Sequence, residues 1–221
     1  MRLGSEVPIF LAYPARRPKV EATLVLAHGA GAPQQSAFMV GFARGLAERG
    51  VDVLTFNFLY MQQRRRVPDR TPALEASYRE AIGTARDQFR RTAVFIGGKS
   101  MGGRIATHLA AADDATTLGI AGVVLLGYPL HPPGKPAQVR SAHLPRIHVP
   151  MLFVQGERDP FGTPDELRPI LDTIPAHVTL HVVSGGDHSL ALPKRAGTDQ
   201  AGVYGDIQDT IAKWIGAKKH S

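Results

Sequence analysis

The chain has 221 residues, of which 43% are hydrophobic and 20% charged, as expected for one globular domain with its own core. The absence of cysteine excludes a disulfide scaffold, a thiolate zinc site and a cysteine nucleophile. The formal net charge is +7, and apart from the cluster Arg64, Arg65 and Arg66 the basic residues are spread along the chain. Because no aromatic stacking pattern accompanies them, we interpret the charge as a solvated arginine-rich surface and not as a nucleic-acid interface.

The N-terminal segment does not resemble an export signal. Gly4, Glu6, Pro8 and Pro14 interrupt it, so it lacks the apolar stretch of a signal peptide. No apolar run elsewhere is long enough to span a bilayer. We therefore expect a cytoplasmic protein that forms one domain over residues 1–221 and has no membrane partner.

Short apolar strands alternate with helices along the chain. The predicted strands are residues 23–27, 51–58, 93–96, 120–126, 151–154 and 178–183. The predicted helices are residues 36–49, 71–90, 104–112, a segment capped by Thr163, and 204–217. Two loops are predicted, a polar and basic one at 59–70 and a proline-rich one at 128–150. This alternation predicts an α/β fold with a mostly parallel central sheet and helices on both faces.

Ser100 lies where such a sheet places its chemistry, directly after a strand. It is the centre of Gly98-Lys99-Ser100-Met101-Gly102, a G-x-S-x-G motif between strand 93–96 and the next helix. The motif predicts a nucleophile on a tight turn, where small neighbours let strand and helix approach closely. The amide of Met101 would then be free to bind an oxyanion.

The same residues also resemble the end of a phosphate-binding G-x-x-x-x-G-K-S loop. That loop would need a glycine at position 93, where the chain has Ala93. Residues 93–96 are apolar and predict a strand, not a loop that wraps phosphate. We therefore reject this interpretation.

A second glycine-rich turn, His28-Gly29-Ala30-Gly31, follows the first predicted strand. Its glycines let the backbone turn and present an amide, and we expect the amide of Ala30 to be a second oxyanion donor beside that of Met101. The alternative is a turn without chemistry. The serine turn further along the chain favours the functional interpretation.

Asp159 and His188 are the predicted partners of Ser100. No Asp or Glu occurs between Asp114 and Glu157, so strand 120–126 cannot supply an acid from its own end. Asp159 is therefore the best-placed acid, with Glu157 as its nearest competitor. His188 follows the last strand in a glycine-flanked loop and is predicted to be the general base, oriented by the acid.

The remaining predictions concern ligands. No H-E-x-x-H or comparable spacing is present, so we predict no metal and no cofactor. The partner is expected to be a small-molecule substrate. The residues predicted to contact it are His28, Gly29, Gly31, Lys99, Tyr128 and Phe161. Lys99 and Arg104 flank the serine turn, where they either favour an anionic substrate or serve as ordinary surface and packing residues.

The segments LAHGAGAP, GGKSMGGR, VQGERDPFG and GGDHSL make the chain resemble the α/β-hydrolase superfamily over nearly its whole length. More narrowly, GGKSMGGR with ERDPFG resembles small bacterial predicted hydrolases. These are related to the hydrolase-like domain of human testis-expressed and chromatin-complex proteins, and more distantly to dienelactone hydrolases. The superfamily resemblance implies hydrolysis of an ester, thioester or amide through an acyl-enzyme. The alternative is a non-catalytic interaction module that keeps the fold.

Many members of this superfamily insert a helical cap after the strand that corresponds to residues 120–126. Here five prolines between residues 128 and 149 would break any long helix. We therefore expect a minimal cap or none, and a small or exposed substrate.

Overall fold

A computed structural model of the chain describes residues 9–16, 18–194 and 197–219. Its strands are β1 (Phe10–Tyr13), β2 (Ala22–Ala27), β3 (Asp52–Phe56), β4 (Ala93–Lys99), β5 (Ile120–Leu126), β6 (Met151–Gly156) and β7 (Val178–Val183). Its helices are α1 (Ala37–Glu48), α2 (Leu59–Gln62), α3 (Thr71–Gln88), α4 (Met101–Ala110), α5 (Pro164–Leu171) and α6 (Gln200–Lys218). The prediction that the first eight residues contain no signal peptide falls outside the described residues.

The strands form one sheet in the order β1-β3-β2-β4-β5-β6-β7. All neighbours from β3 to β7 pair in parallel, and only β1 is antiparallel, beside β3. This confirms the predicted α/β fold. Because β2 and β5 flank β4, the loops that follow these three strands meet at one edge of the sheet.

Helices cover both faces of the sheet, as predicted. On one face, Tyr78 of α3 and Ile105 of α4 belong to a buried apolar cluster with Ile96 of β4. On the other face, Phe42 of α1 and Ile211 of α6 pack in a second buried cluster. Burial of each such side chain contributes about 1.5–3 kcal/mol to folding.

The connection from β5 to β6 forms no cap domain. Within residues 127–150 the only helical segment is one 3₁₀ turn, Leu144–Arg146. Leu130, Leu144 and Ile147 anchor the connection in the core, where none is more than 2% exposed. In the part of the chain described, no helix is both long and apolar enough to cross a membrane.

The structure differs from the sequence-based expectations at several element boundaries. The segment predicted as a loop at 59–70 begins with the short helix α2, which the fully buried Tyr60 anchors in the core. Helix α4 begins at Met101, directly after the serine, and α6 begins at Gln200, each earlier than predicted. The predicted cap of α5 is confirmed, since Thr163 and Glu166 form a reciprocal capping box.

Candidate active site

Ser100 occupies a strained turn between β4 and α4. Its φ of 50° lies in the left-handed region, which costs a residue with a side chain on the order of 1 kcal/mol or more. Close packing of the backbone around it requires glycine at position 102. A Cβ added to Gly102 would lie 2.6 Å from the carbonyl oxygens of both Ala27 and His28. The local sequence thus forces the serine into a sharp bend at the carboxyl edge of the sheet.

The structure brings Ser100, His188 and Asp159 together in one chain of hydrogen bonds. Nδ1 of His188 lies 2.9 and 2.8 Å from the two carboxylate oxygens of Asp159, and Nε2 lies 2.8 Å from Oγ of Ser100. Because a carboxylate only accepts, Nδ1 carries the hydrogen. Nε2 of the neutral imidazole is then the acceptor for the serine hydroxyl.

Asp159 is held by groups beyond His188. It is 1% exposed, its Oδ1 accepts a hydrogen bond of 2.8 Å from the amide of Phe161, and its Oδ2 accepts one of 2.8 Å from Nε2 of Gln155. Sequence reasoning missed Gln155. A signal was present, because Gln155 is the one polar side chain in the otherwise apolar segment of β6.

Glu157, the competing acid, lies elsewhere. Its Oε2 accepts hydrogen bonds from the hydroxyl of Ser184 at 3.0 Å and from the amide of Gly185 at 2.6 Å. The Gly185 amide, followed by the Ser184 hydroxyl, lowers the pKa of Glu157 below its usual value. The carboxylate that contacts His188 is therefore that of Asp159.

Lys99 contacts the loop that carries His188. Its ammonium group donates to the backbone carbonyl of His188 and lies 5.9 Å from the centroid of the Phe38 ring. Burial lowers the pKa of Lys99 to about 8, although the charges of Asp159 and Asp187 act in the opposite direction. Lys99 thus links the strand before the serine to the histidine loop.

The turn Gly29–Gly31 borders Ser100. A Cβ added to Gly29 would lie 3.6 Å from that of Ser100. Within the described residues, the amides of Ala30 and Met101 donate to no acceptor. The carbonyl of Ala30 accepts a hydrogen bond of 2.9 Å from the hydroxyl of Tyr60, a contact that no sequence pattern predicted.

Two residues predicted to contact a substrate lie in the interior. His28 is 0% exposed, its Nδ1–H donates to the Gly29 carbonyl at 2.7 Å, and its Nε2 accepts from the Phe58 amide at 3.1 Å. Burial lowers the pKa of His28 to about 4. Tyr128 is 1% exposed, and its hydroxyl donates to the carbonyl of Arg140 at 2.8 Å. Both side chains brace loops around the site, because their polar atoms are already bonded within the protein.

Phe161 and Gly31 are at least partly exposed, unlike His28 and Tyr128. The ring of Phe161 is partly exposed and stacks on the imidazole of His188. Gly31, together with Ala30, borders a large open cleft. Among the residues described, no group of three or more His, Asp or Glu side chains is arranged to hold a metal ion.

Comparison with known proteins places the chain in a family. A family model described as an alpha/beta hydrolase domain matches residues 20–216. The fold is similar to that of an alpha-beta serine hydrolase homologue from Coxiella burnetii, with 15% identity, coverage of 93% of this chain and 90% of the other, and a TM-score of 0.72.

Two further solved structures are similar. A dienelactone hydrolase from Anabaena variabilis is 18% identical, with coverage of 99% of this chain and 95% of that one, and a TM-score of 0.74. A serine hydrolase without a lid from Xanthomonas campestris is 17% identical, with coverage of 93% of this chain and 88% of that one, and a TM-score of 0.68. At these identities the likeness shows the shared fold.

Proposed function

The chain belongs to the family of alpha/beta hydrolase domains, and from this premise we propose that it is a serine hydrolase of the carboxylesterase type. It cleaves a small ester, thioester or amide through an acyl-enzyme on Ser100. The observation that carries the proposal is the distance of 2.8 Å between Oγ of Ser100 and Nε2 of His188. This distance lies within the range for direct proton transfer between a nucleophile and its base.

The first half of the reaction acylates Ser100. His188 takes the hydroxyl proton at Nε2 while Oγ attacks the carbonyl carbon of the substrate. The amides of Ala30 and Met101 donate to the resulting oxyanion. The ionised Asp159 stabilises the imidazolium, which then gives its proton to the leaving group as the bond to that group breaks.

The second half hydrolyses the acyl-enzyme. His188 takes a proton from water, and the resulting hydroxide equivalent attacks the acyl carbon. A second oxyanion forms in the same place and collapses, releasing the carboxylic acid. The proton returns from Nε2 to Oγ of Ser100, so that the enzyme is regenerated without a redox step or a cofactor.

The open site supports a small or exposed substrate. The connection between β5 and β6 builds no cap over the serine, and its one helical turn is three residues long. One similar structure is likewise described as a serine hydrolase without a lid. Long-chain lipids, which need an enclosed apolar tunnel, fit this site less well than short acyl groups.

Labelling with a fluorophosphonate probe tests the proposal. We expect the wild-type protein to be labelled at Ser100 and Ser100→Ala to remain unlabelled. Ser77→Ala is the matched control, because Ser77 is a partly exposed serine on α3, outside the proposed site. Hydrolysis of short-chain p-nitrophenyl esters should follow the same pattern. Equal hydrolysis by wild type and Ser100→Ala, or a folded wild-type protein that takes up no probe, would overturn the proposal.

A further inference from the structure

A cleft with a volume of about 1150 Å³ opens beside the Gly29–Gly31 turn. Ala30 and Gly31 form one wall of it, and Arg64, Arg65 and Arg66, which follow α2, form another. We call it the arginine cleft. This volume equals or exceeds that of pockets that bind drug-sized ligands. The cleft therefore has room for a group that extends well beyond a scissile bond.

The charge of this cleft is unbalanced. Arg65 pairs with Asp69, with Nη2 and Oδ1 2.6 Å apart, and the other oxygen of Asp69 accepts the Tyr60 amide at 3.0 Å. Asp69 is also the only acid between residues 57 and 74, a stretch that contains four arginines. In the described portion of the chain, Arg64 and Arg66 have no carboxylate partner. Two guanidinium groups are therefore available to an anion from outside.

The neutral lining of the cleft also suits a polar ligand. Gln35, Asn57, Gln62 and Gln63 also line the cleft and supply side-chain amide groups. A planar guanidinium presents paired N–H donors whose spacing matches the two oxygens of a carboxylate or phosphate. The guanidinium and amide groups that line the cleft thus favour an anionic ligand that carries further hydrogen-bonding atoms.

A chain of hydrogen bonds links Arg65 to the turn that carries the proposed oxyanion donor. Arg65 holds Asp69, Asp69 holds the amide of Tyr60, and the Tyr60 hydroxyl holds the carbonyl of Ala30. Tyr60 is itself fully buried. The edge of the cleft at Arg65 and the Ala30 turn are therefore joined through bonded groups, an arrangement that favours a single substrate extending over both.

We propose that the arginine cleft binds an anionic group of the substrate, a carboxylate or a phosphate, while the scissile carbonyl lies at Ser100. This inference rests on the proposed hydrolase function and narrows it. The substrate class is an ester or thioester with an anionic group on the part that extends past Ala30 and Gly31.

Two matched esters test the inference. Mono-p-nitrophenyl glutarate carries a free carboxylate, and its methyl ester is nearly the same size but neutral. We expect wild type to prefer the anionic ester in kcat/KM by about tenfold or more. The double variant Arg64→Gln/Arg66→Gln should lose this preference, mainly through a higher KM for the anionic ester, so that the two esters have similar values of kcat/KM.

The control is Arg90→Gln, which removes an exposed positive charge at the end of α3. It should leave the preference unchanged. In wild type alone, added salt should lower kcat/KM for the anionic ester more than for the neutral one, because salt screens the arginines. The inference would be overturned if wild type had the same kcat/KM for both esters, or if the double variant lost kcat/KM equally for both.

Binding measurements separate the two sources of anion and do not need turnover. Glutarate and inorganic phosphate are titrated separately into two proteins. The first is Ser100→Ala, and the second carries Arg64→Gln and Arg66→Gln in addition. If only glutarate binds in an arginine-dependent way, the substrate carries a carboxylate. If only phosphate does so, the substrate carries a phosphate group. If neither binds in an arginine-dependent way, the inference fails. If an anion binds but no ester is cleaved, it is the proposed hydrolase function that fails.

Discussion

The ring of Phe161 stacks on the imidazole of His188, with centroids 4.1 Å apart and planes inclined by 27°. The amide of the same residue donates to Oδ1 of Asp159 at 2.8 Å. One residue therefore supports both the base and the acid of the proposed triad. The capping box of Thr163 and Glu166 holds the chain directly after it. The segment from Asp159 to Thr163 is thus a rigid support for His188.

Removing this support should slow the reaction. We expect Phe161→Ala to lower kcat about two- to tenfold, since an aromatic stack contributes about 0.5–1.5 kcal/mol. Phe161→Tyr keeps the stack and should retain nearly full activity. Steady-state kinetics on a short-chain ester measures both. An unchanged kcat in a folded Phe161→Ala variant would show that the stack does not orient His188.

The acid of the triad can be identified by comparing two substitutions. Asp159→Asn should reduce kcat by roughly 10³–10⁴, because an amide no longer stabilises the imidazolium and favours the wrong tautomer of His188. Glu157→Gln is the control, since Glu157 bonds to Ser184 and Gly185 and not to His188. Its kcat should stay within about twofold of wild type. A larger loss in Glu157→Gln than in Asp159→Asn would contradict the assignment.

Lys99 should act on the reaction through His188. Its ammonium donates to the His188 carbonyl and places a positive charge beside the triad. Lys99→Met removes both the hydrogen bond and the charge, and we expect a fall in kcat of about tenfold. Loss of a nearby cation also favours a protonated base, so the acid limb of the kcat/KM profile should move to higher pH.

Lys99→Gln separates the two effects. Glutamine offers a neutral donor, so it should recover part of the lost kcat if the hydrogen bond matters and leave the shifted pH profile in place if the charge matters. Identical pH profiles for wild type, Lys99→Met and Lys99→Gln would exclude an electrostatic role.

The sequence predicted most of the sheet because most of its strands are short, largely apolar runs between loops. Residues 120–126 and 178–183 were predicted with the observed boundaries of β5 and β7. Strand β1 was missed, because its four residues are ordered by antiparallel pairing with β3, a partner some forty residues away. The order of strands in the sheet is likewise a property of distant contacts and not of local pattern.

The proposed site shows the same division between local and distant effects. Ser100, Asp159 and His188 each follow a strand, so topology alone was enough to predict that they lie near one another. The roles of His28 and Tyr128 were harder to foresee. Their position beside the motifs favoured contact with a substrate, yet both are buried and bonded to backbone groups. Only the packed structure shows which side of a loop a side chain occupies.

The glycines around Ser100 are expected to be sensitive to substitution where backbone atoms crowd them. In Gly102→Ala the new Cβ would meet two carbonyl oxygens at 2.6 Å, and neither can move without shifting β2. We expect the free energy of unfolding to fall by about 3 kcal/mol, the upper end of the usual cost of overpacking. Gly83→Ala is the matched control in the exposed interior of α3, where no atom lies within 4 Å of the added Cβ.

Gly83→Ala should raise the free energy of unfolding by up to about 1 kcal/mol, because alanine is the better helix former. Urea denaturation of both variants checks the pair. Equal effects of the two substitutions would mean that the crowding at Gly102 is relieved elsewhere.

The stability of the fold should depend on pH through His28. Its pKa is about 4 in the folded protein against an ordinary value of 6.5, because burial penalises the charged ring. Above pH 6.5 both folded and unfolded states hold a neutral His28, and the group adds no pH dependence. As the pH falls from 6.5 to 4, the unfolded state takes up a proton that the folded state refuses, so stability decreases. Between pH 7 and pH 5 the loss amounts to about 2 kcal/mol.

His28→Gln should remove this part of the pH dependence. Urea denaturation at pH 7 and pH 5 gives the difference in free energy of unfolding for each protein, which cancels any constant cost of the substitution. His143, whose pKa burial likewise lowers to about 4, contributes in the same direction and remains in the variant. The difference should therefore shrink by about 2 kcal/mol without vanishing. An unaltered difference in His28→Gln would mean that protonation of this ring is not what destabilises the folded protein between pH 7 and pH 5.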